Sequence, residues 1–462
     1  LGTAPAVAAP RPPFERAPGA AAYSAWGSFS QFYYGGQSRV QQTTTVVTPA
    51  TGATTLETNA LTATDQSQLI TTADLNGRWQ QGPWDNRVVF RDAYTANFLS
   101  GESNDNRLYA FYGETRYLPT NMLARAGRQI GTGAGVLGRY DGGLLNWGFR
   151  PDWRLGLIAG QLVDSPPGIH QSFVSTSLDV DNFLPNANGQ LFAVYQRVAG
   201  TTDRIGLGGE VRYFNTTKTA YGLFDYDPTF RAVNIASFQG TWQLPTGTLL
   251  NVLADYRRTP TLQLANVCVP EQTSDIGALI QEKGTSALRD EAKAFTPISK
   301  VYLIGLTQPF AEKWQFGFDF RVSSLTETPA TGNLPAIPGT GNIYTYTAQV
   351  IGTSLTRFQD ILVVNGSVLR GSLLDGVQAG IDWRFVPLAL VTVEPALKYY
   401  HQTDNTGTRL TRYTPGVRVI YQLRERFSLE AEYDFEHTRT SGDMLGSTES
   451  RHFFYVGWRW DF

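Results

Sequence analysis

The chain has one cysteine, two methionines and four histidines in 462 residues. One cysteine, Cys268, excludes an intrachain disulfide. The four histidines, His170, His401, His437 and His452, do not fall at metal-ligand spacing. Charged residues are scarce, 17% against a usual figure of about 25%. The net charge of −2 gives no support to nucleic-acid binding. No apolar run approaches the roughly 20 residues that a membrane-spanning helix requires. A helical membrane protein is therefore excluded, and a membrane protein built from strands is not.

What is abundant is alternation. Glycines number 46, prolines 24 and aromatics make up 13% of the chain. In residues 451–462, Phe454, Val456, Trp458, Trp460 and Phe462 share one parity; Arg451, Tyr455, Gly457, Arg459 and Asp461 share the other. A period of two places alternate residues on opposite faces of a strand. The same pattern runs through Trp314, Phe316, Phe318 and Phe320 against Gln315, Gly317, Asp319 and Arg321. It recurs in Phe427, Leu429, Ala431 and Tyr433 against Glu430, Glu432 and Asp434.

Counting back from Phe462 gives hairpins at 408–423/427–439, 371–384/388–402, 342–353/357–367, 297–309/313–325 and 231–243/247–258. Five more follow at 203–213/217–226, 170–181/189–198, 141–149/152–162, 105–116/121–130 and 65–81/86–98. One strand remains at each end, 23–46 and 449–462. The expectation is an all-β, transmembrane antiparallel up-and-down barrel of about 22 strands, with a range of about 18–24. Both termini then lie on the periplasmic side of a bacterial outer membrane. Short turns alternate with longer connections near 47–64, 131–140, 163–169, 259–296, 326–341 and 440–448. Residues 1–22, rich in Pro and Ala, read as a periplasmic tether, and 23–462 as the barrel. Tryptophans near strand ends, among them Trp26, Trp79, Trp84, Trp147, Trp153, Trp314, Trp458 and Trp460, read as interfacial girdles.

One segment departs from the alternation. Residues 274–294 carry Ile276, Leu279, Ile280, Leu288 and Ala292 at helical spacing, with Ser274 as N-cap. This predicts one short helix in the longest outer loop, either decorating its surface or folding into the lumen. Gly133, Gly135 and Gly138 have the spacing of a dinucleotide-binding loop, but neither a helix nor a βαβ unit follows. They predict a loop folding into the barrel. Asp179 with Asp181, and Asp225 with Asp227, read as wall charges paired with arginines on neighbouring strands.

Arg125, Arg128 and Arg139 flank the glycine-rich loop and could form part of a basic lumen patch. The inward parity supplies the other candidate lumen-lining residues, beginning with Arg204, Glu210, Arg212, Asp255, Arg257, Asp319 and Arg321. Toward the C-terminus follow Asp382, Arg384, Glu394, Lys398, Arg418, Glu430, Glu432, Asp434 and Arg459. Signs are mixed within single strands, so cross-strand pairs would neutralise the wall. The acidic run on residues 430–436 is the exception and could form a local cation path. No catalytic, cofactor or metal site emerges, and no enzyme is predicted.

Several stretches resemble the C-terminal barrel of proteobacterial tetratricopeptide/FecR-type outer-membrane proteins. They include Gly127-Arg128-Gln129, residues 135–142, residues 209–214, Asp225-Tyr226-Asp227 and residues 255–260. The resemblance continues through residues 338–342 and 349–352. It implies a barrel and names no activity. In architecture such barrels look like polysaccharide-export subunits. The expected function is a wide outer-membrane channel in an envelope assembly that passes or holds a polymer or partner polypeptide. The alternatives are a porin-like diffusion channel for small solutes and a non-conducting anchor. Expected partners are outer-membrane lipid and lipopolysaccharide, with a protein or polymer in or below the lumen.

Overall fold

The computed structural model describes residues 22–47, 54–131, 133, 135–136, 138–166, 168–442 and 445–462. The tether expected at 1–22 lies outside them but for Ala22. Twenty-two strands follow one another in antiparallel order. The first eight are β1 (Ala22–Val47), β2 (Thr54–Gln81), β3 (Trp84–Asn97), β4 (Asp105–Tyr117), β5 (Met122–Ile130), β6 (Arg139–Arg150), β7 (Trp153–Leu162) and β8 (Gln171–Leu184). Next come β9 (Ala187–Val198), β10 (Thr201–Phe214), β11 (Lys218–Asp227), β12 (Ala232–Gln243), β13 (Leu249–Arg258), β14 (Ile298–Ala311) and β15 (Trp314–Leu325). The last seven are β16 (Ile343–Thr353), β17 (Ile361–Arg370), β18 (Leu374–Leu388), β19 (Val391–Asp404), β20 (Arg409–Arg424), β21 (Phe427–Ser441) and β22 (Leu445–Asp461).

The sheet closes on itself. β22 pairs with β1 from Ser28↔Asp461 to Thr44↔Leu445. Phe462 extends the seam, its N–H donating to the Gly27 carbonyl at 3.0 Å and its own carbonyl accepting from the Gly27 N–H at 3.2 Å. Phe29 stacks against both Trp460 and Phe462. Closure satisfies the backbone groups that an open edge would leave unpaired, the condition for a strand to cross lipid. The protein is a transmembrane β-barrel, and the expected strand count holds.

Each strand presents its two parities to different surroundings. Leu191, Leu207, Phe224, Phe238, Ile304 and Val456 are exposed large apolar residues on one face. The opposite parity carries Gln171, Ser175, Gln196, Glu210 and Asp255, which are buried. In a closed barrel the second face is the lumen and the first meets lipid.

Four expectations need correction. The connection at 47–64 is mostly strand: β1 and β2 continue as a tall ribbon to the pair Val47↔Thr54, with a bulge at Gly36/Gln37. Trp26 does not belong to the outer girdle. It pairs with Asn76 and lies under Arg87, on the lumen face. The single helix is two, α1 (Ile276–Lys283) and α2 (Thr285–Phe295), because Gly284 between them takes φ 78°. The N-cap of α1 is Asp275 rather than Ser274, and its side chain accepts from the Ala278 N–H at 2.9 Å.

Candidate functional site: the lumen and its insertion

The connection between β13 and β14 turns inward and builds a small core on the lumen wall. Leu262, Leu264, Ala265, Val267, Leu288 and Ala292 are fully buried there. They pack with Val198, Phe230, Ala232 and Ile169 from the wall and its loop-end connections. Apolar residues at this density inside a wet barrel are explained by mutual burial, about 25 cal/mol per Å² removed from water. The helical periodicity of 276–292 is thus the side of a packed plug, not a surface ornament.

Polar side chains fasten this insertion. Asp203 sits at a bulge between Thr202 and Arg204, which brings two successive residues to the same side. Its carboxylate accepts from Gln171 at 2.6 Å, from Gln196 at 2.5 Å and from the Ala265 N–H at 2.9 Å. Asn234 accepts from the Leu262 N–H at 3.1 Å, and Gln196 donates to Gln263 at 3.0 Å. Within the insertion Lys283 lies between Glu271 at 2.7 Å and Glu291 at 3.5 Å. Burial raises the Glu291 carboxyl, with Glu271 adding to the effect, while the hydrogen bond to Lys283 lowers that of Glu271. Cys268 is buried in the same core, which pushes its thiol up to about 11. A buried neutral thiol is a small apolar filler.

A second, smaller apolar cluster lies beside the first. Val136 packs with Tyr140, Ile158, Phe173, Phe192 and Val194. Gly135 has φ 68°, and a Cβ there would stand 2.5 Å from the Phe192 ring. The glycine-rich segment therefore folds inward because only a side chain of hydrogen fits its closest approach. A recess of about 160 Å³ remains between this loop and the insertion, lined in part by Arg139, Asp164, Gln171, Arg204 and Gln263.

The candidate lumen residues fall into three groups. Beneath the insertion, Arg204 pairs with Asp225, both almost wholly buried. Beyond its edge the wall is wetter: Arg212–Glu210 at 2.6 Å and Arg257–Asp255 at 2.6 Å are within-strand pairs. Arg321 joins Asp255 and Arg257 around a recess of about 570 Å³. Asp319 leans over Gly305, whose missing Cβ leaves room for its carboxylate.

On the far wall the charges form one network. Arg418 reaches Glu430 at 2.7 Å, Glu394 at 3.4 Å and Glu432 at 3.9 Å. Arg384 also reaches Glu394 at 3.4 Å. Asp434 faces Gly416, and Lys398 lies between Gly380 and Thr414. Asp382 stands opposite Val363 and Ala396. Arg459 pairs with Asp461 at 2.8 Å near the seam. Four lumen aromatics, Phe32, Tyr34, Phe453 and Tyr455, complete this wall.

Three arginines near the glycine-rich loop separate. Arg125 shares the lumen parity and donates to Glu114 at 2.8 Å. Arg128 does not: it stands opposite Phe111 and Asp141, on the outer face, and pairs with Asp141 at 2.7 Å. The two-residue period separates Arg125 and Arg128, three apart, onto opposite faces. Arg139 opens β6 at the rim and donates to Asp164 at 3.0 Å. That pair lowers the Asp164 carboxyl, the hydrogen bond from Arg139 being the largest cause. Sequence reading missed Glu114 and Asp203. Strict alternation would put Asp203, next to the inward Arg204, on the outer face, and only the bulge turns it inward.

No family model matches the chain, and no curated protein does. Solved structures that resemble it are outer-membrane barrels. They include OccAB2 of Acinetobacter baumannii, at 9% identity and TM-score 0.42, over 95% of this chain and 98% of that one. OccK2 (OpdF) of Pseudomonas aeruginosa in complex with glucuronate is similar at 12% identity and TM-score 0.41, over 95% and 98%. The ferric enterobactin receptor PfeA of P. aeruginosa, as a mutant, is similar at 8% identity and TM-score 0.49, over 95% and 80%. The likeness is one of fold at most.

Proposed function

We propose that the protein is a porin-like diffusion channel of the outer membrane for small polar solutes, narrowed at its loop end by residues 259–297. The observation that carries this reading is the plug core. A 22-stranded barrel would otherwise enclose a wide lumen, and here part of it is filled by the chain's own segment, seated on buried Leu264, Val267 and Leu288. Such a filling leaves less room for a polymer or partner polypeptide, which makes the assembly reading the weaker of the two. The remaining wall mixes signs in paired charges, which suits hydrated solutes of either charge. In this reading the turns and both termini face the periplasm.

Planar-bilayer conductance of the purified protein tests the proposal. Stable single-channel steps are expected from the intact protein, and clearly larger steps after 262–295 are replaced by a short Gly-Ser turn. A silent intact barrel that conducts only after the deletion would replace the open channel with a gated one. Silence in both would leave a non-conducting anchor.

A further inference from the structure

The outer face of the barrel is chemically different at its two ends. All ten tryptophans lie toward the end where β1 begins, β22 ends and the tight turns sit: nine face lipid, as in Trp79, Trp147, Trp242, Trp314, Trp383 and Trp460, and Trp26 faces the lumen. Toward the loop end tyrosines take their place, and cations stand just beyond them. On β9 Tyr195 precedes Arg197, the next outward residue toward the loops. On β14 Tyr302 is preceded by Lys300. On β20 Tyr413 lies four residues inside Arg409, and on β21 Tyr433 lies six residues inside Arg439. Arg39, opposite Ser450, stands on the same outer face.

These five cations form no ion pair among the described residues, whereas the lumen arginines are largely paired. Arg128 and Arg370 lie at the same level and are offset by Asp141 and Asp375. Two outward residues along a tilted strand advance about 5 Å along the barrel axis. The tyrosines therefore mark the interface side of the collar, and the cations project one to three outward positions, about 5–15 Å, beyond them toward the headgroup layer. Unpaired cations at that depth, spread around the circumference, match a continuous layer of phosphates rather than a discrete ligand.

We propose that this collar binds the phosphates of a phosphorylated glycolipid leaflet of the lipopolysaccharide type, and so fixes the loop end as the outward-facing end. The commitment to glycolipid rests on charge complementarity at one end only. At the opposite end the outer face offers Lys218 laid against Trp242, and a tryptophan belt in place of a cationic ring. An ordinary zwitterionic or singly anionic phospholipid leaflet asks for no such one-sided ring, whereas a leaflet of glycolipids carrying several phosphates each does. Each cation near an anionic surface is worth about a fivefold gain in binding.

The test uses the full chain, folded in detergent, and native mass spectrometry with three lipids: bisphosphorylated lipid A, its phosphate-free form and phosphatidylglycerol. The variants are R197E/K300E/R409E/R439E and, as a control at the other end, K218E. Expected results are retention of lipid A by the parent and K218E proteins, at least tenfold weaker retention of the phosphate-free lipid, and at least tenfold weaker retention by the fourfold variant. Heat-modifiable migration of that variant must match the parent. If it does not, the fourfold Lys-to-Gln and Arg-to-Gln set is measured instead. Equal retention of phosphate-free lipid, equal retention by a folded fourfold variant, or phosphatidylglycerol bound as well as lipid A overturns the proposal.

Discussion

The wall of β8–β13 and the wall of β18–β22 start from the same alternation and end in opposite states. Both place mixed charges inward, and both pair Arg with Asp or Glu. Under the insertion, Arg204 and Asp225 have 3% and 2% of their side chains exposed. Across the lumen, Arg418 keeps 38% exposed and shares itself among three carboxylates. The difference lies in what covers the wall. Where residues 259–297 settle, water is excluded, and Arg204 and Asp225 have each other in its place. Where they do not settle, water supplies partners, and the charges stay exposed to the lumen. One sequence grammar thus yields a dry wall and a wet wall.

That contrast can be broken from either side. Arg204→Ala should have the largest effect, because it strands the buried Asp225 carboxylate; about 3–5 kcal/mol is expected. Urea unfolding of the refolded barrel measures it, and a loss under 1 kcal/mol would mean that water reaches Asp225. Leu288→Ala should cost about 2–5 kcal/mol, confined to the plug. Residues 259–297 should become protease-sensitive and conductance should rise, while heat-modifiable migration stays unchanged. Arg418→Ala should scarcely alter stability, by about 0–1 kcal/mol. It should shift the reversal potential in a salt gradient toward cation selectivity, since Glu394, Glu430 and Glu432 lose their shared cation. An unchanged reversal potential would mean that permeating ions avoid this wall.

The smallest effect concerns a turn on the open side. Asp360 accepts from the N–H groups of Leu355, Thr356 and Arg357 and from the Thr356 hydroxyl. These bonds hold its carboxyl down to about 2. A depressed carboxyl stabilises above its ordinary value near 4 and loses that contribution as pH falls toward 2. Amide exchange at 355–357, normalised for the intrinsic rate, should therefore be flat from about pH 7 to 5 and faster below about pH 3. Asp360→Asn should remove that dependence.

Much of the fold is legible in the sequence. Trp314 to Phe320 and Phe427 to Tyr433 declare their faces by parity alone, and the hairpin count reached 22. The failures share a cause. Trp26 shares the strand-end position of the girdle tryptophans, yet its register with Asn76 turns it inward, under Arg87. Residues 54–64 carry few apolar side chains, and their pairing with β1 is set by backbone bonds that leave no periodic trace. Asp203 needed a bulge, and bulges are invisible to a period-two reading. Arg128 lies next to the glycine-rich loop, but its parity on β5 turns it to the outer face.

The sequence by itself determined that the chain forms a closed barrel with an apolar exterior and a polar interior. Strand parity is local, and it repeats often enough to leave no other solution. The tertiary structure alone decided which part of that interior stays wet. That depends on where Leu262, Leu264 and Leu288 find Val198 and Phe230 across more than 30 residues of intervening chain. Burial of such a plug is a sum over contacts distant in sequence, which no single segment encodes.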